Sequence, residues 1–304
     1  MKRKTDSFTG SRPVFTGSPS IVPGGFNLDV NGQRFNVGDV IPKGTVSTYN
    51  EQTRLVQVLK TAEVIAIDSD DAKKVSLRVA EFYAPFFCVG DKVAKAGAIS
   101  GTFAAAAEIA KVNEGKNSCE IVLDKTISGL AIGDILEEVV AVDSKVVIAP
   151  ILVTHGDNDH IYMVPTGLDL AAGDKVMNGP ITAESLIANA IAVTSYDPAS
   201  GKLVLASDPA SAGVGDQLVK VFADATTATK ASATQKVAAE RFQGRSVTIK
   251  DVVVDEYETA IDVTADTMQY ALLERRVPKI PASQKDASGM ALAGNPHVKL
   301  SQSY

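Results

Sequence analysis

Val89-Gly-Asp-Lys-Val93 and Ala172-Gly-Asp-Lys-Val176 are near-copies, and the residues around them repeat as well. Gly173 lies 83 residues after Gly90, and after a one-residue gap the offset is 82. Gly97 then falls on Gly179, Ile99 on Ile181, Ile109-Ala110 on Ile191-Ala192 and Val122-Leu123 on Val204-Leu205. The unit closes with Gly133-Asp134 on Gly215-Asp216, Leu136 on Leu218 and Val139 on Val221. Chance supplies valine matches easily. It does not readily supply Gly-Asp at both ends of two stretches of nearly equal length.

The Gly-Asp pairs have a physical reason. Glycine enters the positive-φ conformation of a tight turn without a Cβ clash, and the aspartate after it accepts hydrogen bonds from nearby amides. Val37-Gly-Asp-Val40 is a further copy. Gly38, Asp39, Gly90, Asp91, Gly133, Asp134, Gly173, Asp174, Gly215 and Asp216 are therefore turn residues, in preference to catalytic carboxylates.

Between the turns the runs alternate with period two, as in Leu55-Val-Gln-Val-Leu59 and Val75-Ser-Leu-Arg-Val79, or are β-branched, as in Ser246–Val254. Short strands with frequent turns predict an all-β protein of tandem small sandwich- or barrel-like units. The expected organisation is an extended arm (1–36), a first β domain (37–145), a second, repeated one (146–222), an Ala/Thr-rich connector (223–245), C-terminal strands (246–276) and an extended polar tail (277–304). One short helix is expected from Ala233 to Gln243, ending before Gly244.

The 304 residues carry a net charge of -6, which argues against a nucleic-acid partner, since such proteins displace counterions with a basic face. No apolar run is long enough for a membrane-spanning helix. Met1-Lys-Arg-Lys4 has no apolar stretch after it, so a secretory signal is not expected and synthesis in a cytoplasm is. Cys88 and Cys119 are too few for a disulfide framework and read as buried thiols. Phe82-Tyr-Ala-Pro-Phe-Phe87 reads as core, with an inter-subunit contact as the rival.

The stretch most like chemistry is Thr154-His-Gly-Asp-Asn-Asp-His-Ile-Tyr162. His155, Asp157, Asp159 and His160 are weak metal candidates, but the spacing fits neither a zinc helix motif nor a calcium loop. The flanking apolar runs make it the polar tip of a hairpin. Nucleophile-elbow and phosphate-loop motifs are missing, so no enzyme and no cofactor is expected.

Arg12–Phe26, Val37–Thr45 and Phe86–Gly97 resemble the head-fibre proteins of tailed bacteriophages, those of Bacteroidales phages and prophages above all. Asp255–Asp266, Glu274–Pro278 and Asn295–Lys299 are similar too. The resemblance covers roughly residues 10–140 and 245–304. Shorter members pass almost directly from the first β unit to the C-terminal segment, whereas here residues 146–245 intervene. The resemblance implies a virion protein on the capsid exterior, bound to the major capsid protein, stabilising the shell or contacting the host. It also implies a homo-oligomer, with a trimer expected. Arms that dock on a shell would use Phe8, Val14, Phe15, Ile21 and Phe26, and Val277, Ile280 and Val298. The rival readings are a carbohydrate-binding module gripping host-surface glycans, disfavoured by the lack of Trp, and a metal-dependent hydrolase built on the two-histidine loop.

Overall fold

The computed structural model describes residues 13–23, 25–81, 83–143, 148–150, 153–155, 160–168, 170–181, 185–209, 215–223, 231–232, 236–265 and 270–302. The architecture is all-β, and the helices among the described residues are 3-10 turns of three residues. Two compact units form: Met1–Ala141 with Ala238–Tyr304, and Val142–Val237.

The first unit opens with β1 (Phe26–Leu28), β2 (Val40–Ile41), β3 (Val46–Asn50) and β4 (Leu55–Val58). Then come β5 (Thr61–Ile67), β6 (Lys74–Leu77), β7 (Lys92–Lys95), β8 (Ala107–Glu114), β9 (Cys119–Leu123) and β10 (Ile135–Asp143). These six pair in the order β10-β5-β6-β9-β8-β7, and β10 also pairs with β7, so the sheet closes on itself. Alternate residues point inward, as the period-two pattern requires. Val75 and Leu77 from β6, and Ile121 and Leu123 from β9, meet Ile109 and Leu136 in one buried cluster. Register shifts between Val64 and Ala66 and between Ile109 and Lys111 add the bends that closure of so small a barrel needs.

The second unit holds β11 (Ile148–Pro150), β12 (Val153–His155), β13 (Ile161–Met163), β14 (Lys175–Asn178), β15 (Ile191–Asp197), β16 (Lys202–Leu205), β17 (Gln217–Ala223) and β18 (Ala231–Ser232). Its strand order, β11-β17-β14-β15-β16-β13-β12, repeats the first barrel strand for strand, with β18 added on β17. The segments β11 and β12 stand where the two halves of β5 stand. Thr61 faces Glu137 as Ile148 faces Val219, and Ile67 faces Val75 as Thr154 faces Tyr162. The repeat thus begins two strands before Gly90.

The backbone also corrects the alignment inside the repeat. Gly90 N–H donates to Ile109 O as Gly173 N–H donates to Val193 O, so Ile109 matches Val193 and not Ile191. Both residues sit at the same bulge, and both are buried. Likewise Ala96 N–H donates to Ile135 O as Gly179 N–H donates to Gln217 O, which puts Ala96, not Gly97, on Gly179.

The chain returns through β19 (Lys236–Glu240), which lies beside β10 at the edge of the first barrel's sheet. Within the expected helix over 233–243, Lys236–Glu240 is a strand instead, with Ala238 buried, and residues 233–235 lie outside the described residues. Next come β20 (Ser246–Val247), β21 (Val252–Val253), β22 (Ala260–Ile261), β23 (Tyr270–Leu273), β24 (Ala291–Leu292) and β25 (Asn295–Ser301). A sheet in the order β20-β3-β4-β1-β22 interleaves both ends of the chain, and a Thr248–Val263 bridge joins its two outer strands. The strands β2 and β21 pair, and β25 lies between β23 and β24.

Neither terminal segment is a free arm across its described part. Phe26 and Leu28 are buried with Tyr49, Val56, Ile261 and Val263, and Val14 with Leu272, Val277, Ile280, Val298 and Leu300. The segments read as extended because Gly, Pro and Ser separate their apolar residues. Those residues find partners some 250 positions away in the chain, as in the Phe15–Leu272 bridge. The expected boundary at residue 37 also moves, since β2, β3 and β4 belong with the terminal segments and the first barrel starts at β5.

Candidate functional site

The two-histidine stretch is a hairpin. Strands β12 and β13 are antiparallel, with His155 opposite Ile161. Asp157 and Asp159 lie outside the described residues, as does the His155 side chain. His160 closes the turn with φ 44° and returns to the sheet by accepting the Leu205 N–H, 3.0 Å. Its Nδ1 lies 3.0 Å from Asp208 Oδ1, an ion-pair distance without hydrogen-bond geometry. The buried Tyr162 hydroxyl donates to the same oxygen. That hydroxyl, then His160, holds the Asp208 carboxyl below its usual range. Asp208 thus ties the residues after β16 to β13. Nothing in its sequence neighbourhood marks it, because it lies 46 residues from Tyr162. Among the described residues no three His, Cys, Asp or Glu side chains converge as metal ligands.

The Gly-Asp aspartates are occupied by the turns themselves. Asp39, Asp91, Asp134 and Asp174 accept the N–H of Asn36, Cys88, Ala131 and Ala171 at 2.8, 2.8, 2.7 and 2.8 Å. Gly38, Gly90, Gly133, Gly173 and Gly215 all have φ between 83° and 92°, the region where a side chain would be strained. Asp216 follows Gly215 and is exposed. The residue before four of these glycines faces outward, and Ala172 is one of them. Val37, Val89 and Ile132 are 53%, 57% and 69% exposed. Sequence reading passed over these three, although the shared turn position announces them.

Asp91 differs from its counterparts. It is buried, and its Oδ2 is 2.7 Å from the ammonium of Lys60, itself only 1% exposed. Lys60 also donates to Arg34 O and lies over the Phe35 ring at 4.8 Å. Burial pushes the Asp91 carboxyl up, with Lys60 pulling the other way. The Cys88 thiol, 3.7 Å from Lys60 Nζ, is pushed up by burial to about 11. A thiol held protonated in this way is a poor nucleophile, so the cluster is structural. Cys119 is buried and free as well. Tyr83, Phe86 and Phe87 are core, as expected of the aromatic run, and Phe82 lies outside the described residues.

The residues expected to touch a shell divide three ways. Val14, Phe26, Val277, Ile280 and Val298 are buried within the chain's own fold, and touching a partner would require it to open. Phe15 is half-buried, edge-on to Tyr270 at 5.7 Å and under the Lys43 ammonium at 5.3 Å. Ile21 is 54% exposed, and Phe8 lies outside the described residues. Two small grooves open on the first unit. One, of about 110 Å³, is lined by Val40, Pro42, Tyr83, Pro85, Phe86 and Cys119. The other, of about 220 Å³, is bordered by Arg34, Phe103, Glu138 and Arg241. The charges of Glu138 and Arg241 satisfy each other through a two-pronged ion pair at 2.8 and 3.1 Å. No protein-family model, curated protein or solved structure matches the chain.

Proposed function

We propose that the chain is a head-fibre or decoration protein of a tailed-phage capsid, held on the outside of the shell by the major capsid protein and assembled as a homo-oligomer, a trimer in the first instance. The observation that carries this reading is the distribution of the fold along the sequence. Residues 13–58 and 246–301 interleave into one module, and between them the chain spells out one strand order twice, closed by the β10–β7 pairing in the first copy. A sheet that closes on itself leaves little more than short added strands such as β19 at an edge, so units of this kind can be added in series to lengthen a projection. The resemblance of the terminal segments to head-fibre proteins falls on the interleaved module and the first barrel, and the second barrel is the addition. The contact residues now proposed are the exposed ones: Ile21, Val37, Val89 and Val253.

Antibody to the protein is expected to place gold regularly over the heads of intact particles. Absence from particles, with the epitope shown to be reachable, would sink the virion reading. Replacing Val37 and Val89 together by Asp should leave the fold intact, because both sit at exposed turn positions. Particle occupancy should fall about tenfold, the equivalent of ~1.4 kcal/mol of binding. Unchanged occupancy would remove these turns from the interface.

A further inference from the structure

Glu137 sits in the middle of β10, is 0% exposed, and has no hydrogen-bond partner for either carboxylate oxygen. A buried carboxylate without a partner is normally neutralised by a cation, a metal or a proton. The cations around it are taken. Arg241 pairs with Glu138, Lys60 with Asp91, Lys279 with Glu63 and Lys95 with Asp134. Lys92 lies near Glu108. The groups that face Glu137 carry its own sign: Glu138 beside it on β10 and Glu240 on β19. The residue opposite on β5, Thr61, spends its hydroxyl on Lys279 O, and the one opposite on β7 is Ala94. Glu240 takes one hydrogen bond, from Gln284 Nε2 at 2.9 Å. A metal does not resolve the charge either, since no ligand cluster converges among the described residues.

We propose that Glu137 is a proton-binding site that fastens the return strand β19 to β10: neutral, it is tolerated between Glu138 and Glu240, and ionised it opens the pairing to water. The strand β19 gives way first because it is the edge of its sheet. Burial, then Glu240 and Glu138, push the carboxyl up to about 8. The closed form therefore binds a proton that the open form has released. Closure is at full strength below the ordinary glutamate range, weakens as pH rises, and levels off above about pH 8.

The test uses the full chain with 13C-labelled glutamate side chains and hydrogen exchange of the amides of β10 and β19. One glutamate Cδ, lost from the spectrum of Glu137→Gln, should titrate near pH 8. Protection of β19, corrected for intrinsic exchange, should fall by about tenfold per pH unit between pH 5 and 8. In Glu137→Gln it should stay flat, and in Glu240→Gln the midpoint should move down. A Glu137 resonance in the ordinary carboxylate range overturns the proposal, and so does an undiminished pH slope in Glu137→Gln. If that variant fails to fold, the Glu240→Gln titration assigns the group, and a midpoint equal to wild type refutes it.

Discussion

Lys60→Met will destabilise the first unit by about 3–5 kcal/mol, the usual cost of removing one partner from a buried ion pair. The ammonium lies 2.7 Å from Asp91 Oδ2, and both side chains are 1% exposed. Without it the carboxylate keeps one donor, the Cys88 N–H at 2.8 Å, and faces an apolar methionine tail. At ~2–4 °C per kcal/mol for a unit of this size, the melting temperature should drop by roughly 10 °C. The pH dependence gives the cause away. Burial already raises the Asp91 carboxyl, and removing Lys60 leaves the Cys88 N–H to oppose it alone. The folded variant then holds a proton that the unfolded chain loses, so its stability is greatest in mild acid and declines as pH rises. The double variant Lys60→Met with Asp91→Asn should recover most of the loss, because an apolar or neutral replacement of a whole buried pair costs little. If Lys60→Met alone melts like wild type at pH 7, the pair is not buried as described.

That pair also marks where a sequence can and cannot be read. Asp91 and Asp174 occupy the same repeated turn, and nothing local says that one is buried against Lys60 while the other meets Lys220 at 2.8 Å with 25% of its side chain exposed. The turns themselves were legible, because a glycine of positive φ followed by an accepting aspartate is a requirement of four adjacent residues. The all-β class was legible for the same local reason, period-two alternation. The register inside the repeat was not. The hairpin of β8 and β9 runs one cross-strand pair further, to Glu114 opposite Cys119, than that of β15 and β16, which ends with Asp197 opposite Lys202, and a linear alignment does not place those extra residues. The terminal segments were misread because their order comes from each other. Val14 and Val298 share one cluster across almost the whole chain, and no window of sequence contains both. As for function, the exposed Val37, Val89 and Ile132 follow from the turn motif, whereas Asp208 and Glu137 are defined by what surrounds them in space.

Matched substitutions in the two barrels give the second large effect. Leu136 on β10 and Leu218 on β17 are equivalent by register, facing Ala62 and Ala149 respectively, and both are buried. Truncating either to Ala removes buried methyl groups and leaves a cavity that the barrel cannot fully close, a loss of ~2–5 kcal/mol. The consequences should differ because the barrels belong to different compact units. Leu218→Ala should strip hydrogen-exchange protection from residues 160–223 and leave Val64, Ile109 and Ile121 as protected as in wild type. Leu136→Ala should lower protection through the first barrel and the interleaved terminal module, which share one unit, and spare the second barrel. The proposed reading as a fibre lengthened by duplication would require this independence, since an added barrel that had to fold jointly with the module carrying it would put attachment at risk with every change in the projection. Equal loss of protection in both units from either substitution would show one cooperative body instead, and the second barrel could then not be read as a separable extension.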